Sequence, residues 1–142
     1  MKIFKYTLAI VLLSIFCFYN LQAKNNYFVE GEKFFQKKNF EKSKFQFEKD
    51  IVFNPKNERS YLYLAKIYKL KNEDNFQEKN LNTVILINPK NEEAIYLLTL
   101  LKIKQSDYKK SKNLMEIFKK VCKNICQKEK ELSQKLKNLQ AE

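Results

Sequence analysis

The side chains that most often do chemistry in proteins are scarce in this sequence. Its 142 residues include no His, three Cys and one Gly. Without His there can be no Ser-His-Asp or Cys-His nucleophile, no His general base and no zinc site of the Cys/His kind. A single Gly cannot build a phosphate-binding loop, because such loops need several residues without a Cβ atom. We therefore predict no catalytic residue, no metal site and no cofactor, and expect a protein that is not an enzyme.

Cys122 and Cys126 are the cysteines with the most informative spacing. Helical Cα atoms four residues apart lie about 6 Å from each other, which is within range of a disulfide. The side-chain directions in a regular helix suit such a bridge poorly, so we expect a bend at Lys123 and Asn124. The alternatives are two buried free thiols, or a redox or metal role. The spacing is one residue longer than a thioredoxin-type CxxC, and two thiolates cannot complete a tetrahedral zinc site, so a structural bridge is favoured.

Lysine dominates the charge of the chain. There are 28 Lys and Arg residues against 16 Asp and Glu, a formal net charge of +12, yet Arg59 is the only Arg. Arginine makes bidentate contacts to phosphate and guanine, whereas lysines spread along helices mostly solvate their outer faces. We therefore predict no nucleic-acid partner. Loose attraction to anionic lipid, and so peripheral membrane association, stays a possible role for the lysines.

The N-terminus has the form of a secretory signal. Lys2 and Lys5 precede an uncharged, largely apolar segment at residues 6–19, and the small residue Ala23 follows. Fourteen helical residues rise about 21 Å, which is less than the hydrocarbon core of about 30 Å. We predict a signal peptide at residues 1–23, cleaved after Ala23, and hence an exported, periplasmic bacterial protein.

Two other fates of this segment are open. Residues 6–19 could stay attached as an inner-membrane anchor. A lipoprotein would be acylated at Cys17, but the large Phe16 stands where such sites have a small residue.

The sequence repeats with a period of 34 residues, because the tetrapeptide NPKN at residues 54–57 recurs at residues 88–91. Aligned on it, the chain resembles the tetratricopeptide repeat. That repeat has a helix with a small residue and an aromatic three positions later, a turn, then a second helix with a small and a large apolar residue, and a closing Pro. The matching positions are Gly31, Phe34, Phe40, Ser43, Phe47 and Pro55, then Ala65, Tyr68, Leu81 and Pro89, then Thr99, Tyr108, Ser111, Met115 and Phe118.

The later copies depart from the pattern. In the second copy Asp74 stands where the turn aromatic belongs, with Phe76 two residues later, so its second helix could start or pack differently. In the third copy Lys102 replaces the first-helix aromatic and Lys123 replaces the Pro. We expect a looser register towards the C-terminus.

The resemblance implies an all-α protein, a right-handed α-solenoid of three helix pairs and a C-terminal capping helix that follow the signal peptide. Apolar residues at helical spacing support it independently, and Ile125, Leu132, Leu136 and Leu139 form one stripe on the cap. The predicted repeats are 24–57, 58–91 and 92–125, with the cap at 126–142. The predicted helices are 26–38, 41–53, 58–71, 75–87, 92–105, 108–121 and 125–140.

The resemblance also implies a binding surface. In this family the first helices of the pairs line a concave groove that holds a peptide. The groove residues carried over to this chain are Phe28, Phe35, Arg59, Leu62, Lys66, Lys69, Tyr96, Leu100 and Ile103. The clamp of Lys, Asn and Arg used by chaperone-binding members is absent, because Phe28, Glu32, Tyr63, Glu93 and Leu97 occupy its positions.

We therefore expect a non-catalytic scaffold that binds a protein or peptide of the cell envelope. Arg59, Lys66 and Lys69 would favour an acidic partner. The alternative is an envelope adaptor that binds an anionic surface or is held in the membrane by an uncleaved N-terminal segment.

Overall fold

The computed structural model describes residues 26–141, and within that range the chain is helical throughout with no strand. The predicted signal peptide, its cleavage after Ala23 and the alternative roles of residues 6–19 and of Cys17 lie outside the described residues. No helix in the described range is long and apolar enough to cross a membrane. The helices are α1 (Tyr27–Gln36), α2 (Phe40–Phe53), α3 (Glu58–Leu70), α4 (Asp74–Ile87), α5 (Glu92–Lys104), α6 (Tyr108–Val121) and α7 (Lys128–Ala141).

Asparagine and aspartate side chains start most of these helices. The Oδ1 atom of Asn39 accepts a hydrogen bond from the backbone N–H of Lys42, and Asn91 accepts one from Ala94. Asp107 does the same for the N–H of Lys110. Such caps satisfy backbone donors that have no partner inside the helix, which explains why the helices begin close to the predicted positions.

Each helix pair is joined by a turn whose central residue has a left-handed backbone. Lys38, Asn72 and Ser106 have φ angles of 56°, 57° and 55°. They are spaced by the repeat period, and none of them is Gly. The residue that follows each donates its N–H to a carbonyl of the last helical turn, for example Asp107 to Lys102 at 2.9 Å, which closes the helix end.

The helices pack in chain order, α1 on α2, α3 on α4 and α5 on α6, and each pair packs on the next. One core joins Phe47 of α2 to Leu64 and Ile67 of α3. A second joins α3 and α4 to α5, and a third joins α5 and α6 to α7. Contacts restricted to neighbouring repeats are the mark of a solenoid, so the predicted fold class is confirmed.

The departures in the second and third copies have specific consequences. Helix α4 starts at Asp74, and the ring of Phe76 stacks on Tyr68 with centroids 5.1 Å apart, so this aromatic still packs on the preceding helix. Lys102 is buried, and its Nζ atom lies 2.5 Å from Glu78 Oε1 and 2.8 Å from Gln105 Oε1. An ion pair with α4 therefore takes the place of the aromatic contact.

Helix α7 covers the C-terminal end of the stack. It contacts both α5 and α6, and Leu132 is fully buried with Ile125 and Leu136 packed around the same core. The fourth predicted member of this stripe, Leu139, falls outside the described side chains. The helix begins at Lys128 and not at 125 as predicted, because residues 122–127 form an irregular bend.

Candidate functional site

A groove with a volume of about 660 Å³ opens between α3, α5 and α7. Apolar atoms of Leu100, Leu101 and Ile103 on α5 form its floor. Polar side chains and turn residues form its rim, namely Lys69, Asn72, Asp74, Gln77, Lys104, Ser106, Glu131, Lys135 and Asn138. An apolar floor with a polar rim is suited to hold an apolar side chain of a partner and to select its polar neighbours.

Four of the residues predicted for a binding groove line this one. Lys69, Tyr96, Leu100 and Ile103 all border it. Lys69 and Lys135 make no ion pair among residues 26–141, although Lys135 is close enough to Glu131 to lower the pKa of that carboxyl.

Three predicted groove residues are used by the core instead. Leu62 is only 8% exposed and packs with residues of α4 and α5, so it cannot contact a ligand. Phe28 and Phe35 are half-buried beside Tyr63, with ring centroids 6.0 Å and 5.0 Å from it. Their aromatic rings join the first repeat to the second, and helical periodicity alone cannot separate this role from ligand contact.

The two remaining predicted cations are neutralised within the chain. The Arg59 guanidinium lies 4.3 Å from the Phe28 ring and 2.8 Å from Glu32 Oε1. Lys66 Nζ lies 2.8 Å from Glu93 Oε1. Glu32 and Glu93 occupy positions of the missing clamp, so this half of the concave face presents paired charges and not a cationic strip.

Sequence reasoning missed the wall that α7 contributes. The Tyr96 hydroxyl donates to Glu131 Oε2 at 2.9 Å, and Lys128 Nζ lies 3.2 Å from the same oxygen. Burial and then this hydrogen bond raise the pKa of Tyr96, and the Tyr96 hydroxyl in turn lowers the pKa of Glu131. Both groups hold their ordinary charge states at neutral pH and fix α7 against α5. The cap was predicted, but its position beside the groove depends on tertiary packing.

The junction before α7 contains the two cysteines. The Sγ atoms of Cys122 and Cys126 lie within bonding distance of each other and their Cα atoms are 5.3 Å apart, with the chain bent between them. Glu92, at the start of α5, accepts hydrogen bonds from the backbone N–H groups of Asn124 and Ile125 at 2.9 Å and 3.1 Å. The cysteine pair ties the start of α7 to the end of α6, and the Glu92 carboxylate ties it to α5. In the described range no cluster of three or more potential ligand residues is arranged to hold a metal.

No protein-family model matches the sequence, and no curated protein matches it. Several solved structures are similar in fold. The Arabidopsis OM64 TPR domain has a TM-score of 0.74 at 17% identity, with 84% of this chain and 98% of that chain covered. The TPR2B domain of yeast Sti1, in a complex with pHsp70, has a TM-score of 0.71 at 14% identity, with 83% and 96% covered.

A third similar structure is the first TPR of Spaghetti (RPAP3) bound to the HSP90 peptide SRMEEVD. Its TM-score is 0.75 at 16% identity, with 85% of this chain and 95% of that chain covered. At such identities the likeness concerns the fold. The seven helices, the period of the turns and these similarities together show that this chain has the tetratricopeptide-repeat fold.

Proposed function

We propose that this chain is a non-catalytic scaffold that binds a protein or peptide partner in the groove between α3, α5 and α7. The observation that carries the proposal is the groove itself, with its apolar floor at Leu100 and Ile103 and its open side. Two of the similar structures support it, because one is a complex with pHsp70 and another holds the peptide SRMEEVD. A scaffold of this kind needs no chemistry of its own.

The charges favour a partner that carries an apolar residue beside an acidic one. Lys69 and Lys135 stand on opposite walls of the groove, on α3 and α7. At the other end of the concave face Glu32 and Glu93 already bind Arg59 and Lys66. A partner's carboxylate would therefore be attracted to the C-terminal half, where charge mainly sets the association rate and the selectivity.

The groove can be tested with short synthetic peptides graded from acidic to basic, with binding read by fluorescence anisotropy. Leu100→Glu places a charge on the apolar floor and should weaken the best acidic peptide by about tenfold or more, since one large apolar contact contributes about 1.5–3 kcal/mol. Leu86→Glu is the control for the added charge, because Leu86 is 83% exposed on α4 and away from the groove. Leu100 also packs against the third core, so the thermal unfolding midpoint of Leu100→Glu is measured beside its binding. Equal effects of the two substitutions would contradict the groove assignment.

Selectivity for acidic peptides has its own test. Lys69→Glu with Lys135→Glu should reverse the preference from acidic to basic peptides. Lys79→Glu with Lys112→Glu changes the net charge equally at exposed sites that do not line the groove, and should leave the preference unchanged.

We further propose that the protein acts outside the cytoplasm, since Lys2, Lys5 and the uncharged residues 6–19 have the form of an export signal. In a compartment of that kind a disulfide between Cys122 and Cys126 would persist. The intact mass of the protein from a fractionated bacterial culture decides this point. A chain that starts at Lys24 and lacks two thiol protons supports export, whereas a chain that keeps residues 1–23 and stays in the membrane fraction supports the anchored alternative.

A further inference from the structure

The first helix pair carries an exposed aromatic surface on the side opposite to its core. The rings of Tyr27 and Phe53 are stacked with centroids 5.6 Å apart. Lys49 Nζ lies 5.4 Å from the Tyr27 ring and 4.5 Å from the Phe45 ring. Val52 is on the same face of α2 as Phe45, seven residues later. These five residues, Tyr27, Phe45, Lys49, Val52 and Phe53, form what we name the N-terminal patch.

The apolar side chains of the N-terminal patch are largely exposed to solvent. Phe45 is 54% exposed, Phe53 is 53% exposed and Val52 is 74% exposed. The groove is formed by other elements, so the proposed peptide site does not use this surface. Contiguous exposed aromatic residues of this kind mark an interaction surface.

The net charge around the N-terminal patch is positive, because the carboxylates on the same side of α2, Glu41 and Glu48, are each paired with a lysine. Lys42 lies one helical turn before Phe45, and its Nζ atom is 5.7 Å from the Phe34 ring. Neither Lys42 nor Lys49 makes an ion pair with any of residues 26–141. Lysines beside exposed aromatic rings suit a surface that is apolar below and anionic above, because the rings enter the acyl boundary while the ammonium groups stay at the headgroups.

The position of the N-terminal patch in the chain points to the same occupant. Tyr27 is eight residues from the end of the uncharged segment 6–19 and four residues from Ala23, the predicted cleavage position. Translocation of that segment would deliver the patch to a membrane surface, and a retained segment would hold it there.

We propose that the N-terminal patch docks the protein on an anionic lipid bilayer, through Phe45, Val52 and Phe53 in the acyl boundary and Lys42 and Lys49 at the lipid headgroups. This surface acts independently of the groove, which stays open to solvent at the other end of the molecule. The protein would then present its peptide site while it lies on the membrane.

Vesicle binding by the chain from Lys24 tests the proposal without the apolar segment. That chain keeps every described residue of the three cores, and its helical circular-dichroism spectrum checks that it is folded. It should cosediment with vesicles that contain phosphatidylglycerol, leave vesicles of pure phosphatidylcholine unbound, and dissociate at high salt.

Lys42→Gln with Lys49→Gln should lower the partition coefficient by about thirtyfold, because each lysine near an anionic surface contributes about 1 kcal/mol. Lys79→Gln with Lys112→Gln, which removes the same charge elsewhere, should lower it far less.

Tryptophan fluorescence locates the contact, because the chain contains no Trp. The Trp emission of Phe53→Trp should shift to the blue on anionic vesicles, and that of Leu86→Trp should not.

Equal shifts at the two positions, or equal losses for the two lysine pairs, would mean that net charge alone binds the chain and would overturn the proposal. So would the absence of vesicle binding at low salt, or a change of oligomeric state with Phe45→Ser and Phe53→Ser, which would assign the patch to a second copy. Leu100→Glu should leave vesicle binding unchanged, so failure of the groove proposal and failure of this one are distinguishable.

Discussion

At the scale of single residues, Gly31 shows how closely the two helices of a repeat approach each other. A Cβ atom at this position would lie 2.7 Å from Cε1 of Phe47, which is fully buried. We expect Gly31→Ala to destabilise the protein by about 1–2 kcal/mol, because overpacking outweighs the better helix propensity of Ala. Phe47→Leu should then recover much of the loss, since Ala65 and Leu81 form this pairing in the second repeat. Urea unfolding of both single variants and the double variant measures the coupling, and strictly additive effects would contradict the contact.

The two NPKN turns have the same sequence but bind different hydrogen-bond acceptors. In the first, Asn54 and Asn57 donate to the buried carboxylate of Asp50 at 2.9 Å and 2.6 Å. In the second, Asn88 and Asn91 donate to Glu58 at 2.9 Å and 3.3 Å, because the position of Asp50 is taken by an apolar valine. The tetrapeptide predicted where each helix ends. The acceptor of the first turn is in the preceding helix, but that of the second is 30 and 33 residues away, which no local pattern predicts.

At the scale of helices and turns, the left-handed residues between paired helices are an opportunity for stabilisation. Ser106 has a φ angle of 55°, which costs an L-residue with a Cβ atom about 1–2 kcal/mol. We expect Ser106→Gly to stabilise the protein by about 0.5–1 kcal/mol after the larger entropy of the unfolded glycine is subtracted. Ser106→Ala is the control, because it keeps the Cβ atom. Identical midpoints of thermal unfolding for the Gly and Ala variants would show that the turn is not strained.

The helices themselves were predicted well, because their boundaries depend on local signals such as NPKN and the capping asparagines. The role of Lys102 was not predicted. Its sequence position indicated a looser register, whereas its ammonium group is buried and paired with Glu78 of the neighbouring repeat. A partner outside the helix cannot be recognised from the period of that helix.

This buried pair has a measurable consequence. We expect Glu78→Ala to destabilise the protein by roughly 3 kcal/mol, since it leaves the ammonium of Lys102 without its counter-charge. Replacing both partners by Glu78→Leu and Lys102→Met should be nearly neutral or stabilising, because apolar residues of similar size need no compensation. Chemical unfolding checks both. A neutral Glu78→Ala variant would show that Gln105 alone satisfies Lys102.

At the scale of the whole molecule, the resemblance to the tetratricopeptide repeat implied a groove along the first helices of all three pairs, and the structure has its open groove towards the C-terminal end. Lys69, Tyr96, Leu100 and Ile103 border the open part. Phe28, Phe35 and Leu62 fill contacts between repeats, because a three-repeat stack must bury one continuous core with few residues. Helix α7 narrows the opening at the C-terminal end, so the usable surface is set by how the cap docks and not by the repeats alone.

The docking of that cap should weaken in acid. Hydrogen bonds from the backbone of residues 123–125 lower the pKa of Glu92, which means that the folded protein favours its ionised form. The resulting stabilisation is complete above the ordinary glutamate pKa of about 4.5 and is lost as the pH falls through the lowered value. We expect the amide NMR signals of Asn124 and Ile125 to titrate in that acidic range, and α7 to loosen with them. Glu92→Gln should remove this titration and weaken the junction already at neutral pH, while Glu93→Gln, whose carboxylate pairs with Lys66, should keep it. If the titration persists in Glu92→Gln, another carboxylate attaches the cap, and Glu131, bound to Tyr96 on the groove wall, is the next to replace.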